Sequence, residues 1–216
     1  MQKSKKIQEI NQTKQFKSES LRYINSYLYE KDQVLKEKIL IPKSISKKSV
    51  KTICDIGCGN GERMKIWKEY FKLKKAYGIE PSNKGIRILR KKFRNYKNKG
   101  IYFKNGYAHN LPFENNSFDI VLVWSVLHWV GRDEYLQSLG EMIRICSKYL
   151  VIMDFVAKTD YRVPYHHKKK LFTYKHDFEK IINETKIMKP IERIRYWFNP
   201  LDKKFYNLKK EQLIPS

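Results

Sequence analysis

Acidic residues are scarce in this chain. Its 216 residues hold 22 Asp and Glu against 46 Lys and Arg, a formal charge of +24 at pH 7. Cysteines are scarcer still: Cys54, Cys58 and Cys146 are too few for a disulfide framework and none stands in a C-x-x-C pair, so a reducing cytoplasm is expected. Cys54 and Cys58 have the spacing that opens a radical-type iron–sulfur motif, but the third ligand position is Gly61, which excludes that cluster. Long apolar runs are missing as well. The longest, "FDIVLVWSVLHWV", is broken by Asp119, Ser125 and His128, so no membrane span is expected. The opening "MQKSKKIQEINQ" is basic without an apolar stretch behind it, and no signal peptide is expected.

What the positive charge means stays open at this level. It is the footprint of a protein that meets phosphates, RNA included. It is also what a Lys-, Asn- and Ile-rich composition produces on solvated faces, and the basic runs are scattered along the chain and do not form one stripe.

The hydrophobic content of 41% suits one α/β domain with an extension. Residues 1–40 read as helix, and "LIPKSISKKSV" as the link behind it. This divides the chain into an N-terminal helical extension, 1–45, and a main domain, 46–216. From position 51 strand and helix alternate. The strands are "KTICDIG", "AYGIE", "IYFKNG", "FDIVLVWS" and "YLVIMDF". The helices bury Met64, Trp67 and Phe71, then Ile86, Leu89 and Phe93 behind an N-cap at Ser82, then Leu136, Leu139, Ile143 and Cys146. Such alternation implies a parallel sheet. A further helix in "HDFEKIINE" and a strand in "IERIRYWF" are expected to close it.

The most informative stretch is "ICDIGCGNGERM", a buried strand that runs into a bare turn and then a helix. A dinucleotide turn needs G-x-G-x-x-G. Here Gly57, Gly59 and Gly61 alternate, Glu62 stands where the third glycine would be, and Asp55 would repel a pyrophosphate. The ligand should therefore be uncharged or cationic near that end. S-adenosylmethionine, with its sulfonium and ammonium, meets the requirement. Its methionine portion would lie on the backbone of Gly57, Cys58, Gly59, Asn60 and Gly61, with Asp55 balancing the charge. Glu80, at the end of "GIEPS" beside Pro81 and about 20 residues on, would accept from both ribose hydroxyls.

With "DIGCGNG", "GIEPS" and "NGYAHNLPFENNSFDIVLVWSVLHWV" in place, residues 50–155 resemble the class I S-adenosylmethionine-dependent methyltransferases of small-molecule type. The resemblance implies a Rossmann-like, doubly wound, mostly parallel seven-stranded α/β sheet. It implies that S-adenosyl-L-methionine is converted to S-adenosyl-L-homocysteine. Gly106, Tyr107 and Ala108 are implied to line the adenine, with Tyr107 where the family usually has Asp. Trp124 and Ser125, at the end of the fourth strand, are implied to sit beside the methionine.

Methyl transfer is an in-line displacement helped by a base that removes the acceptor's proton. His128 comes after the fourth strand at the cofactor end, as wall or as base. His166 and His167 fall in an insertion at about 156–176 placed to cover substrate, and Asp154 at the end of the fifth strand is a base, an orienter or a cap. His109 and His176 read as surface residues. Trp124, Trp129, Tyr161, Tyr165 and Tyr174 are candidates for an aromatic acceptor pocket. No metal is expected, because no zinc-type spacing occurs.

The acceptor is approached by exclusion. The fourth strand ends in "WSVLHW", not the Asn/Asp-Pro-Pro-aromatic turn of enzymes acting on base amines. The Pro-Cys of C5-cytosine enzymes is also missing. The stretch "YRVPYHHKKKLFTYKHDFEKI" loosely resembles the tail of methyltransferases of surface-polysaccharide sugars. The expectation is therefore transfer to a hydroxyl, less so an amine, of a small molecule such as a sugar or nucleotide-linked sugar, anionic acceptors included. An RNA methyltransferase and a non-catalytic cofactor-binding subunit are the rival readings.

Overall fold

The computed structural model describes residues 40–165, 172–193, 196–199 and 204–207. The expected helix of 1–40 therefore lies outside the described residues apart from its last position. Five parallel strands form the central sheet in the order β3-β2-β1-β4-β5: β1 Thr52–Ile56, β2 Lys75–Glu80, β3 Ile101–Asn105, β4 Phe118–Trp124 and β5 Cys146–Met153. Between them run α1 Glu62–Phe71, α2 Asn83–Lys92 and α3 Arg132–Ile145.

Because successive side chains of a strand leave opposite faces, the central strands feed two cores. Ile53, Ile120 and Leu122 pack with Met64, Trp67 and Phe71 of α1 and Ile86 and Leu89 of α2. Cys54, Val121 and Val123 pack on the other face with Tyr135, Leu139 and Met142 of α3. Burial on both faces is why β1 and β4 are mostly apolar, with one acid in each. Helices on both faces make the sheet doubly wound, and the strand order reverses between β1 and β4. The Ser82 hydroxyl caps α2 by accepting from the Gly85 N–H at 3.1 Å, as its sequence position suggests. Ile41, Ile45 and Val50, in the stretch read as a link, are buried in the α1 side of the core.

Two features differ from expectation. The buried face of α3 is Tyr135, Ser138, Leu139, Met142 and Ile145, while Leu136 is 62% exposed. Ser138 hides the true stripe: its hydroxyl donates to the Glu134 carbonyl at 2.7 Å, so a polar residue lies in the core without an open hydrogen bond. The sheet also has five strands among the described residues, not seven. A hairpin of β6 Tyr161–Pro164 and β7 Phe172–Lys175 forms its own two-stranded sheet. After α4, Phe178–Thr185, the strand expected to close the main sheet is β8, Tyr196–Asn199, which pairs antiparallel with β9, Lys204–Asn207. Only residues 200–203 separate them, and so short a loop makes local pairing entropically cheap.

No helix among the described residues is long and apolar enough to cross a membrane.

Candidate functional site

The site lies at the carboxyl ends of β1, β2 and β4, around the point where the strand order reverses. This is where open α/β sheets leave a crevice for ligands. The glycine turn leaves β1 and is tied down on its inner side. The N–H groups of Gly57 and Cys58 both donate to the Ile79 carbonyl of β2, at 2.9 and 3.0 Å, and the Gly61 N–H donates to the Cys58 carbonyl at 2.9 Å. These bonds leave the Gly59 and Asn60 amides for a ligand. A Cβ built on Gly59 would meet nothing within 4 Å, whereas one on Gly61 would strike the Phe93 and Phe103 rings at 2.9 and 3.0 Å. The turn is therefore open at Gly59 and packed at Gly61, a cradle into which a ligand's chain fits.

Two residues of the turn serve the fold with their side chains. The Cys58 thiol is buried against Gly78 of β2, where burial pushes it well above its ordinary range. Asn60 Oδ1 accepts from the Glu62 N–H at 3.0 Å and so caps α1.

Asp55 is where the structure departs most from expectation. It is completely buried in β1, and Arg63 of α1 grips it with Nη2 to Oδ1 at 2.7 Å and Nε to Oδ2 at 3.2 Å. Burial pushes the Asp55 carboxyl up from its ordinary value and the guanidinium works against that. The acid expected to balance the cofactor's charge, directly or through water, is thus paired with a cation of the protein itself. Arg63 also donates to the Gly57 carbonyl at 3.2 Å, and its guanidinium carbon lies 5.3 Å from the centroid of the Trp124 ring. Sequence reasoning missed Arg63, although its place eight residues after a buried acid, at the second position of the helix, was the available signal.

Glu80 ends β2 and is only 2% exposed, so a carboxylate stands at the strand tip where a ribose would be met. The neighbouring turn is held by Asn105, whose Nδ2 donates to the carbonyls of Glu80 and Pro81 at 3.0 and 2.8 Å. Gly106 comes next, its N–H directed at the Glu80 carbonyl at 3.4 Å. Tyr107 stacks on His109 with centroids 5.4 Å apart, and Ala108 packs against the α3 side of the core.

The turn after β4 carries the reactive-group candidates. Ser125 is exposed with a left-handed φ of 55°, a conformation that costs a non-glycine residue about 1 kcal/mol or more. Its N–H donates to the Met153 carbonyl at 2.8 Å, and Val126 packs on Gly57, which joins this turn to the glycine cradle. Asp154, just past β5, organises residues 126–128 from across the strand ends. Its Oδ2 accepts from the N–H groups of Val126 and Leu127 at 2.9 and 2.8 Å, and its Oδ1 from the Phe155 N–H at 2.8 Å. The same Oδ1 lies 2.7 Å from His128 Nδ1, with both side chains nearly sealed from water. A carboxylate only accepts, so Nδ1 donates, and in the neutral ring the lone pair is then on Nε2. Among the described residues Nε2 makes no hydrogen bond. Asp154 thus holds the 126–127 backbone as a cap does and also touches the His128 ring.

His128 contacts Trp129 and Phe155 at centroid distances of 5.1 and 5.3 Å, and Trp129 meets Tyr165 edge-on at 4.8 Å. Tyr174 points instead into a stack with His176 and Tyr135. His176, expected at the surface, is 2% exposed, because this aromatic stack, with the Val130 carbonyl and Asp160, encloses it. His109 is half-buried beside Glu134. His166 and His167 lie outside the described residues.

Residues 54–150 match the family model described as a methyltransferase domain. Over 120 residues the chain is 32% identical to the ubiquinone/menaquinone biosynthesis C-methyltransferase UbiE of Campylobacter jejuni, covering 52% of this chain and 47% of that protein. It is 28% identical to the phthiotriol/phenolphthiotriol dimycocerosates methyltransferase of Mycobacterium leprae, over 45% of this chain and 34% of that one. The chain spans about half the length, or less, of the curated relatives it matches. Among solved structures it is similar to the PH0226 protein from Pyrococcus horikoshii OT3, at 24% identity and a TM-score of 0.47, covering 57% of this chain and 56% of that one.

Proposed function

We propose that this chain, whose residues 54–150 match the methyltransferase-domain model, uses S-adenosylmethionine to transfer a methyl group to the hydroxyl of a small molecule, with His128 as general base. The observation that carries the proposal is the Asp154–His128 pair, set beside the glycine cradle on the turn that touches Gly57. The residues suit the cofactor: open backbone at Gly59 and Asn60 for the methionine portion, the Glu80 carboxylate for the ribose, and Gly106 to Ala108 for the adenine. Asp55 is neutralised by Arg63, so the turn presents little charge of its own. When bound, the cofactor supplies an electrophilic methyl on a sulfonium.

The chain's own contribution is positioning and proton transfer. His128 Nε2 accepts the acceptor's hydroxyl proton as the oxygen becomes nucleophilic. Asp154 keeps the ring in the tautomer that has its lone pair on Nε2 and stabilises the imidazolium that results. Holding the acceptor aligned contributes further, since displacement at carbon needs a near-attack geometry.

The acceptor we propose is apolar or aromatic. Trp129 and Phe155 both contact His128, Tyr165 packs edge-on against Trp129, and Phe155 is 56% exposed. A sugar acceptor rests on the resemblance of the 161–181 stretch alone; the relatives' names concern ubiquinone, menaquinone and phthiotriol.

The test is transfer of labelled methyl from S-adenosylmethionine into an extract of the source cells, divided into small-molecule and RNA fractions. Label in the small-molecule fraction that disappears with His128→Ala is the expected result. Label confined to RNA and falling steeply with salt would replace this reading with the RNA one. Cofactor binding without label in either fraction would replace it with a non-catalytic one.

A further inference from the structure

A half-buried ammonium lies beside the turn that carries His128, and no carboxylate among the described residues holds it. Lys175 ends β7, and its Nζ sits 3.6 Å from the centroid of the Phe155 ring. Phe155 meets the His128 ring nearly at right angles, 5.3 Å between centroids, so a single aromatic ring separates the ammonium from the base. Asp154 is the acid whose field favours the Lys175 charge. Its oxygens are nevertheless taken by His128 and by three backbone N–H groups. Among the described residues Lys175 forms no ion pair, and burial draws its ammonium below the usual lysine range.

A lysine on a solvated face normally extends its head into water. Here the head rests on an aromatic ring, and the surface around it is apolar. Tyr161 stands directly opposite Lys175 in the hairpin register, with Val163 two residues along the same face. Tyr161, Val163 and Phe155 are 49%, 40% and 56% exposed. The arrangement therefore offers one under-compensated cation inside an apolar rim, within reach of the proposed base.

We propose that Lys175 binds an anionic group on an aromatic acceptor, whose ring lies against Phe155 and Tyr161 while its hydroxyl faces His128. The inference rests on the methyl-transfer reading and narrows the acceptor to an aromatic carboxylate or phosphate. Lys175 then decides which acceptor is taken and leaves the proton transfer to His128. Its contribution exists only when the anion is present, because a charge-assisted hydrogen bond is strong where water is excluded.

The experiment measures binding of three probes to the protein saturated with S-adenosylhomocysteine: 2-naphthoate, 2-naphthyl phosphate and the uncharged 2-naphthalenemethanol. We expect at least one anion to bind about tenfold more tightly than the alcohol, the scale of one hydrogen bond to a charged group. Lys175→Gln should remove that advantage and Lys175→Arg should retain it, both with unchanged affinity for S-adenosylhomocysteine. Which anion gains identifies the group as carboxylate or phosphate. Equal binding of all three probes, or an anion preference that survives Lys175→Gln, overturns the proposal. The readout needs no turnover, so an anion preference in a protein that transfers no methyl would count against the catalytic reading alone.

Discussion

Arg63 closes on Asp55 through two hydrogen bonds, 2.7 and 3.2 Å long, with the two side chains 8% and 0% exposed. The pair joins α1 to the centre of the sheet beneath the glycine turn, and the Gly57 carbonyl shares the same guanidinium. The acid in front of the turn thus acts mainly by fixing the turn's shape through arginine.

Arg63→Met should therefore behave as a folding mutation before it behaves as a cofactor mutation. It leaves a buried carboxylate unpaired, for which a loss of about 3–5 kcal/mol is expected in denaturant unfolding. Asp55→Asn placed in the same chain should recover much of that loss by removing the orphaned charge. Additive losses in the double variant would count against the pair as the cause.

Gly59 and Gly61 should separate binding from stability. Gly61→Ala drives a methyl into the Phe93 and Phe103 rings from a backbone at φ 80°, so the melting temperature should fall by several degrees, as for a loss of about 1–3 kcal/mol. Gly59→Ala meets open space, so beyond the modest strain of φ 53° its effect should appear as weaker cofactor binding in calorimetry. The reverse pattern would place the ligand elsewhere along the turn.

Glu80→Gln keeps the shape of the β2 tip and removes its charge. Cofactor affinity should fall by about 1–3 kcal/mol, the cost of weakening a hydrogen bond to a charged group at a buried position. Unchanged affinity in titration calorimetry would take the ribose contact away from Glu80.

His128→Ala should reduce turnover by about 10²–10⁴, the usual contribution of a general base, with cofactor affinity little altered. Asp154→Asn should also lower kcat, because an amide stabilises the imidazolium less well than a carboxylate. It should in addition loosen the 126–128 turn, whose N–H groups Asp154 holds. A pH–rate profile for both variants identical to that of the unaltered protein would remove His128 from proton transfer.

At the opposite end of the sheet Asp119 makes stability depend on pH. Burial alone would raise its carboxyl, but hydrogen bonds from Lys148 and from the Lys51 and Thr52 N–H groups outweigh it and hold the group below its ordinary 3.8. The unfolded chain then binds the proton more readily than the folded one. The stability from this site is present above the ordinary value and disappears as pH falls through the lower folded value. Chemical unfolding of Asp119→Asn and of the unaltered protein should differ at pH 5–7 and converge in strong acid; a constant difference across that range would contradict the assignment.

Local pattern was enough for the strand-and-turn framework of the central sheet. Strands buried on both faces announce themselves as apolar runs, a strand-to-helix turn requires its glycines, and an acid at the next strand tip needs no partner from afar to be recognised. The same holds for α1 and α2, whose apolar spacing led directly to the residues found in the core. Where a polar residue lies inside by satisfying itself locally, as Ser138 does with the Glu134 carbonyl, periodicity found Leu139 and Cys146 but took in the exposed Leu136 and missed Tyr135 and Met142.

What only the tertiary structure decided are the relationships between residues far apart in the chain or hidden by chemistry that reads as solvent-exposed. Asp154 and His128 are 26 positions apart and become a pair because parallel neighbours β4 and β5 bring their ends together. Arg63 and Lys175 read as two more cations among 46. One became the partner of a buried acid and the other a poorly compensated charge beside the base, since the worth of a charge is set by its distance to opposite charge and to water, and neither distance is written in the sequence.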